Sequence, residues 1–207
     1  MTEASRTPRT RLPTDSEIRA LHARHAPTEE AFALVHTHCE IVCAIALRLA
    51  GSAGLDVDVE LVRAGSLLHD VGVYRLYDDG GRLDHAGYVR HGILGHELLR
   101  AEGLPESLGR FCSHHTGVGI TREDVVRQGL PLPPGDYLAE STEEKLVMFA
   151  DKFHSKTDPP RFLTAGTYAA HVRRYGDDKA ELFAVMCATF GVPDLRPLAA
   201  AYGHEIV

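Results

Sequence analysis

The chain has 207 residues, 44% of them hydrophobic and 25% charged, with a formal net charge of −7 at pH 7. That size suits one ordinary domain with a real core, and the balance argues against both disorder and a membrane protein. An acidic surface lacks the clustered Lys and Arg that phosphate neutralisation needs, so no extended nucleic-acid surface is expected.

The longest apolar run, 41–47, is too short to cross a bilayer, and no basic, apolar leader opens the chain, so a cytoplasmic location is expected. Cys39, Cys43, Cys112 and Cys187 form no CxxC pair and read as reduced thiols. The unusual residue is histidine, with 13 copies.

Residues 1–14 are rich in Ser, Thr and Arg and read as a flexible tail, leaving 15–207 as one domain. A short helix is expected over 15–25 and a longer one over 28–50, where Val35, Ile41, Val42, Ile45 and Leu49 keep helical spacing. The next helix runs from about 57 into His69-Asp70 and stops at Gly72; residues 77–84 form a Gly/Asp-rich loop.

Helices follow over about 88–102 and 105–115, with a short one over 121–128 that Thr121 caps. A Pro-rich connection leads to a helix over 141–156, with Ser141 and Glu144 as a capping box. After Pro159-Pro160, two or three helices fill 162–207. No strand pattern of useful length and no repeat is present, so the fold class is all-α, a compact multi-helix bundle of eight to ten helices.

Helical phase sorts the histidines. His38 lies within the apolar stripe of Val35, Ile41 and Ile45, whereas His36, ~200° around the helix, should face outward. His91 shares a face with Leu94, Gly95 and Leu98, while His96 points elsewhere; Gly95 would also let another backbone approach. His114 and His115 follow the stripe of Leu108, Phe111 and Cys112 on its two edges, and Asp151 continues the face of Val147 and Met148. Taken alone, His38 reads first as a core histidine, and a buried Arg or Lys could satisfy Asp151. Taken together, several helices each direct a metal-type side chain inward, around His69-Asp70.

In this order and context the chain resembles the HD-domain superfamily of metal-dependent phosphohydrolases. Leu67-Leu68-His69-Asp70-Val71-Gly72 is similar to the family's LLHDIG stretch, and His91-Gly-Ile-Leu-Gly95 to its H-x-x-x-G helix. The resemblance implies an HD-type helical domain with its metal core at about 28–156 and C-terminal helices at 162–207. It implies that His38, His69, Asp70 and Asp151 hold one divalent ion. Asp70 would bridge to a second ion carried by His91 and His114, with His115 as a further ligand, proton donor or substrate contact. Two ions of Fe, Mn, Ni, Co or Zn suit these donors.

Val73 replaces the Lys that often follows the motif, so Arg75 or Lys152 would bind phosphate, and His154 would support a ligand from behind. No GYP signature follows His114-His115, which gives no support to cyclic di-GMP hydrolysis. The implied reaction is hydrolysis of a phosphomonoester or phosphodiester, with a nucleotide as the expected substrate. Metal-bound water is acidified towards a pKa of about 7 and becomes the nucleophile. Alternatives on the same ligands are a di-iron oxygenase and a non-catalytic ligand-sensing domain; a homodimer is compatible with either.

Overall fold

Sequence and capping chemistry divide the chain into ten α-helices, seen in a computed structural model that describes residues 11–207. The first, α1 (Asp15–His25), starts at a full capping box between Thr14 and Glu17. Arg11 to Thr14 are tied in as well, for Arg11 pairs with Glu17 and Leu12 packs on the core. The rest of the expected tail, 1–10, lies outside the described residues.

Helix α2 (Glu29–Ser52) is capped by Thr28 and carries Glu29 and Glu30 where the helix dipole favours anions. It is long and apolar enough to cross a membrane by length and composition, yet more than half of its apolar window is buried inside the protein. Val35, Cys39, Ile41, Val42 and Ile45 are fully buried along it. Its neighbours are α3 (Val59–Leu68), capped by Asp58, and α7 (Thr142–Asp151).

His36 is not on an outer face. It is 6% exposed, stacked on Phe32 at 5.0 Å, because α1 packs over that side of α2 and brings His22 edge-on to it.

After His69-Asp70 the chain tightens into a 3-10 segment, Val71–Leu76, where five of six residues are buried and Arg75 alone is exposed. This segment lies against α4 (His91–Ala101), which in turn packs on α5 (Glu106–Ser113). Two glycines permit the approach. A Cβ on Gly72 would stand 2.0 Å from the His91 carbonyl oxygen and 2.3 Å from the Gly95 nitrogen, and one on Gly95 only 3.1 Å from the Gly72 nitrogen. The close approach expected at Gly95 is thus made by the turn following the HD pair.

Helix α6 (Arg122–Gln128) has a complete capping box between Thr121 and Asp124. For α7, Ser141 caps the Glu144 N–H, but the Glu144 carboxylate does not return to Ser141. It accepts instead from Arg110 at 2.7 and 3.1 Å and from the Glu140 N–H at 2.7 Å, since a buried carboxylate is held best by a guanidinium fork.

Helix α7 also ends at Asp151, five residues earlier than expected. There the chain turns into a small sheet of two-residue strands that no alternation pattern could announce. Strand β1 (His154–Ser155) pairs antiparallel with β2 (Arg161–Phe162), which pairs parallel with the C-terminal β3 (Glu205–Ile206). Helices α8 (Ala165–Val172), α9 (Asp177–Phe190) and α10 (Arg196–Tyr202) complete the bundle. They bury Phe183 and Phe190 against Phe149 of α7. All four cysteines are free.

The Gly72 contact sets a test. Gly72→Ala would force Cβ into backbone atoms and should cost at least about 2 kcal/mol in urea denaturation. Gly51→Ala, where an added Cβ meets nothing within 4 Å, should be neutral or stabilising by up to about 1 kcal/mol. Equal effects at the two positions would contradict the close-packed turn.

Candidate metal centre

Two donor groups share one carboxylate. His38, His69, Asp70 and Asp151 place one donor atom each within 4.8 Å of one another, and so do Asp70, His91 and His115. The first group is drawn from α2, the end of α3 and the end of α7; the second from α4 and the turn after α5. His38 Nε2 stands 2.9 Å from Asp151 Oδ1 and 3.2 Å from Asp70 Oδ2. His69 Nε2 lies 3.4 Å from Asp70 Oδ2, while His91 Nε2 and His115 Nε2 lie 3.4 and 3.6 Å from Asp70 Oδ1. Asp70 is fully buried, with one oxygen turned to each group.

Hydrogen bonding fixes which ring nitrogen is available. Nδ1 of His69 is 2.7 Å from the Ser66 carbonyl, Nδ1 of His91 is 2.6 Å from that of Tyr88, and Nδ1 of His115 is 2.7 Å from that of Cys112. A carbonyl only accepts, so each Nδ1 carries the hydrogen and each neutral ring presents a lone pair at Nε2. His91 Nε2 and His115 Nε2 are 3.0 Å apart. Two lone pairs facing each other beside a carboxylate make sense only around a cation.

The buried atoms His69 Nε2 and Asp70 Oδ1 have no hydrogen-bond partner among the described residues, a costly arrangement that a bound ion would relieve. The donor set and its orphaned atoms therefore fit the divalent metal expected from sequence.

Protonation agrees. Burial pushes the His91 imidazole down to about 3 and that of His115 below its ordinary value, keeping both neutral. Burial pushes Asp70 and Asp151 upward, but neighbouring lysines and imidazoles outweigh it and hold both carboxyls well below the usual range. Neutral imidazoles and ionised carboxylates are the forms that bind metal.

His38, His69, Asp70, His91 and Asp151 thus come together as expected, but His114 does not. Helix α5 ends at Ser113, and His114 adopts φ −118°, ψ 13°, which turns its ring out of helical phase. It is half-buried, with Nδ1 2.6 Å from Ser113 Oγ and its ring 6.2 Å from that of Tyr137. His115 occupies the inward position instead. With Nδ1 held by carbonyls and Nε2 in the donor group, it is not placed as a free proton donor.

Arg75 is exposed and absent from the cavity beside the cluster. Lys152 is buried, donating to Asp151 Oδ2 at 2.6 Å and to the His115 carbonyl at 3.0 Å, so it braces two ligand-type residues. His154 is buried with Nδ1 2.8 Å from His38 Nδ1.

The residue that sequence reasoning missed is Lys156. Its ammonium donates to Asp70 Oδ2 and sits 5.9 Å over the Tyr88 ring. An assumed helix through 156 hid it; the Pro159-Pro160 break was the available sign that the chain turns back early. The cavity, of about 650 Å³, is bordered by Tyr77, Tyr88, Ile120 and Tyr168, with Asp70, His91, His115 and Lys156 among its lining.

Elemental analysis of purified variants tests the assignment. Asp70→Ala should lose metal from both groups, His115→Ala should lower the content, and His114→Ala should match wild type. Metal loss in His114→Ala equal to that in His115→Ala would contradict the inward position of His115.

Known proteins agree with this architecture. An uncharacterized protein of Methanocaldococcus jannaschii is 42% identical over 117 residues, 55% of this chain and 62% of that protein. The tRNA (cytidine(56)-2'-O)-methyltransferase of Picrophilus torridus is 37% identical over 128 residues, 62% of this chain but 33% of the enzyme. The chain therefore spans less than two thirds of the first relative and about a third of the second. Among solved structures, the HD domain of the L. monocytogenes phosphodiesterase PgpH superposes with a TM-score of 0.54 at 14% identity, covering 89% of this chain and 98% of that one. The same domain in complex with cyclic-di-AMP gives 0.53 at 15% identity, covering 92% and 99%. At such identities the likeness is one of fold. Residues 35–156, which hold His38, His69-Asp70, His91, His115 and Asp151, match the HD domain, and the chain belongs to that family.

Proposed function

We propose that this protein is a metal-dependent phosphohydrolase that cleaves a small phosphomonoester or phosphodiester, with a nucleotide as the substrate class. The observation that carries the reading is the single buried carboxylate, Asp70, facing two sets of imidazole lone pairs at the floor of a cavity. Membership of the HD family supports it, as does the common fold with a phosphodiesterase domain that binds cyclic-di-AMP.

Divalent ions in these two groups would acidify water and neutralise charge developing on a phosphate. The protein's own part is positional. Asp70 and Asp151 supply negative charge, and His38, His69, His91 and His115 supply oriented lone pairs. Lys152 keeps Asp151 and the His115 backbone in place. Lys156, a cation at the reacting end of the cavity, would meet a non-bridging phosphate oxygen, the role expected of Arg75 or Lys152. Tyr77, Tyr88 and Tyr168 offer ring surfaces to a base or sugar further out.

The oxygenase reading shares the donor set, so the test is anaerobic. Protein loaded with Mn²⁺, Fe²⁺ or Co²⁺ should release phosphate, or a phosphomonoester product, from a panel of nucleotides without oxygen, and a chelator should stop it. Lys156→Gln should lower kcat/KM about 10- to 100-fold, the worth of a charge-assisted hydrogen bond. Turnover that requires oxygen and yields no phosphate product would overturn the hydrolase reading.

A further inference from the structure

The residues outside the family match make a contact with the site that phosphoester chemistry alone does not call for. His154 lies between two other imidazoles: its Nδ1 is 2.8 Å from His38 Nδ1, and its Nε2 is 3.0 Å from His204 Nδ1. The rings stack, with centroids 5.1 Å apart in both pairs, and Phe162 packs edge-on to His154 at 5.0 Å. His204 is delivered by the C-terminal strand. Gly203, at φ 70°, ends α10, and β3 then pairs with β2. The Val207 N–H donates to the Phe162 carbonyl, and the Val207 carbonyl accepts from Thr164.

His38 differs from the other three histidines of the cluster. They hold Nδ1–H against backbone carbonyls of their own turn, whereas His38 meets another imidazole, which can donate or accept. A bare lone pair at His38 Nε2 requires the hydrogen at Nδ1, and His154 Nδ1 must then accept it. A neutral His154 carries its own hydrogen at Nε2, and only an acceptor at His204 Nδ1 holds it there. His38 Nε2 is 2.9 Å from Asp151 Oδ1, a carboxylate to which an Nε2–H would donate; only in this direction of the chain does Nε2 turn a lone pair towards a cation held by Asp70 and Asp151.

We propose that His204, acting through His154, sets the tautomer and orientation of His38, so that the C-terminal strand is a working part of the metal centre. Both are positioning residues. The proposal rests on the metal reading of the site, and metal binding by wild type is the control that separates the two.

The experiment measures affinity of the full chain for Co²⁺ by competition with a chromophoric chelator, together with the visible absorption of the bound ion. His204→Phe keeps a ring but supplies no acceptor; His204→Asn supplies an acceptor oxygen near the place of Nδ1 but no ring. Affinity should fall about tenfold or more in His204→Phe, with an altered cobalt spectrum, and return towards wild type in His204→Asn. Thermal melts of the metal-free proteins should not follow that order. Wild-type affinity in His204→Phe, or equal loss in both variants, would overturn the proposal. A wild-type protein that binds no Co²⁺ would overturn the metal reading itself.

Discussion

One carboxylate out of water organises this molecule. An ion as buried as Asp70 costs several kcal/mol unless opposite charge and hydrogen bonds compensate it. Here Lys156 beyond α7 supplies opposite charge directly, and cations held between Asp70 and His38 of α2, His69 beside it, His91 of α4 and His115 after α5 would supply the rest. These elements converge because each must bring its polar group to the same point. The aliphatic and aromatic core around α2, α3 and α7 then sets the distances at which they do so.

The two glycine approaches serve the same end. If the 3-10 turn after Asp70 stood off from α4 by the width of a methyl group, Asp70 Oδ1 and His91 Nε2 would separate beyond their 3.4 Å. The half-buried Arg110–Glu144 pair ties α5 to the start of α7 in a similar way, and so links the His115 turn to the helix that ends in Asp151. Packing and chemistry are therefore not separable here: the contacts that stabilise the fold are also those that aim the donors.

Much of this was legible before any coordinates. Helical phase identified His38, His91 and Asp151 as inward-facing, since α2 keeps its 3.6-residue period through His38, while α4 begins at His91 and α7 ends at Asp151, each still within its helix. Phase left His114 and His115 on the two edges of their stripe, and the resemblance chose His114. His114 and His115 sit just past α5, where one residue outside helical geometry exchanges which side chain points in. Lys156 and His204 lie beside two-residue strands, too short for any periodicity, and the His154–His204 contact joins residues 50 apart. His36 was misread because its burial comes from α1, a neighbour that the pattern of its own helix does not record. Arg75 was chosen for its nearness to the motif in sequence, and the 3-10 segment after Asp70 turns it outward.

Three of the four histidines in the cluster lean on main-chain carbonyls three residues earlier. A carbonyl is the same in every amino acid, so substitutions at Ser66, Tyr88 or Cys112 leave the acceptor in place. Such a centre tolerates sequence drift around it, which accords with a shared fold at 14% identity. His38 has no such insurance, because its support is a side chain that a single codon change can remove. Among the four histidines of the cluster, His38 is thus the one whose substitutions are coupled to those of a side-chain partner, His154, while His69, His91 and His115 keep their main-chain support.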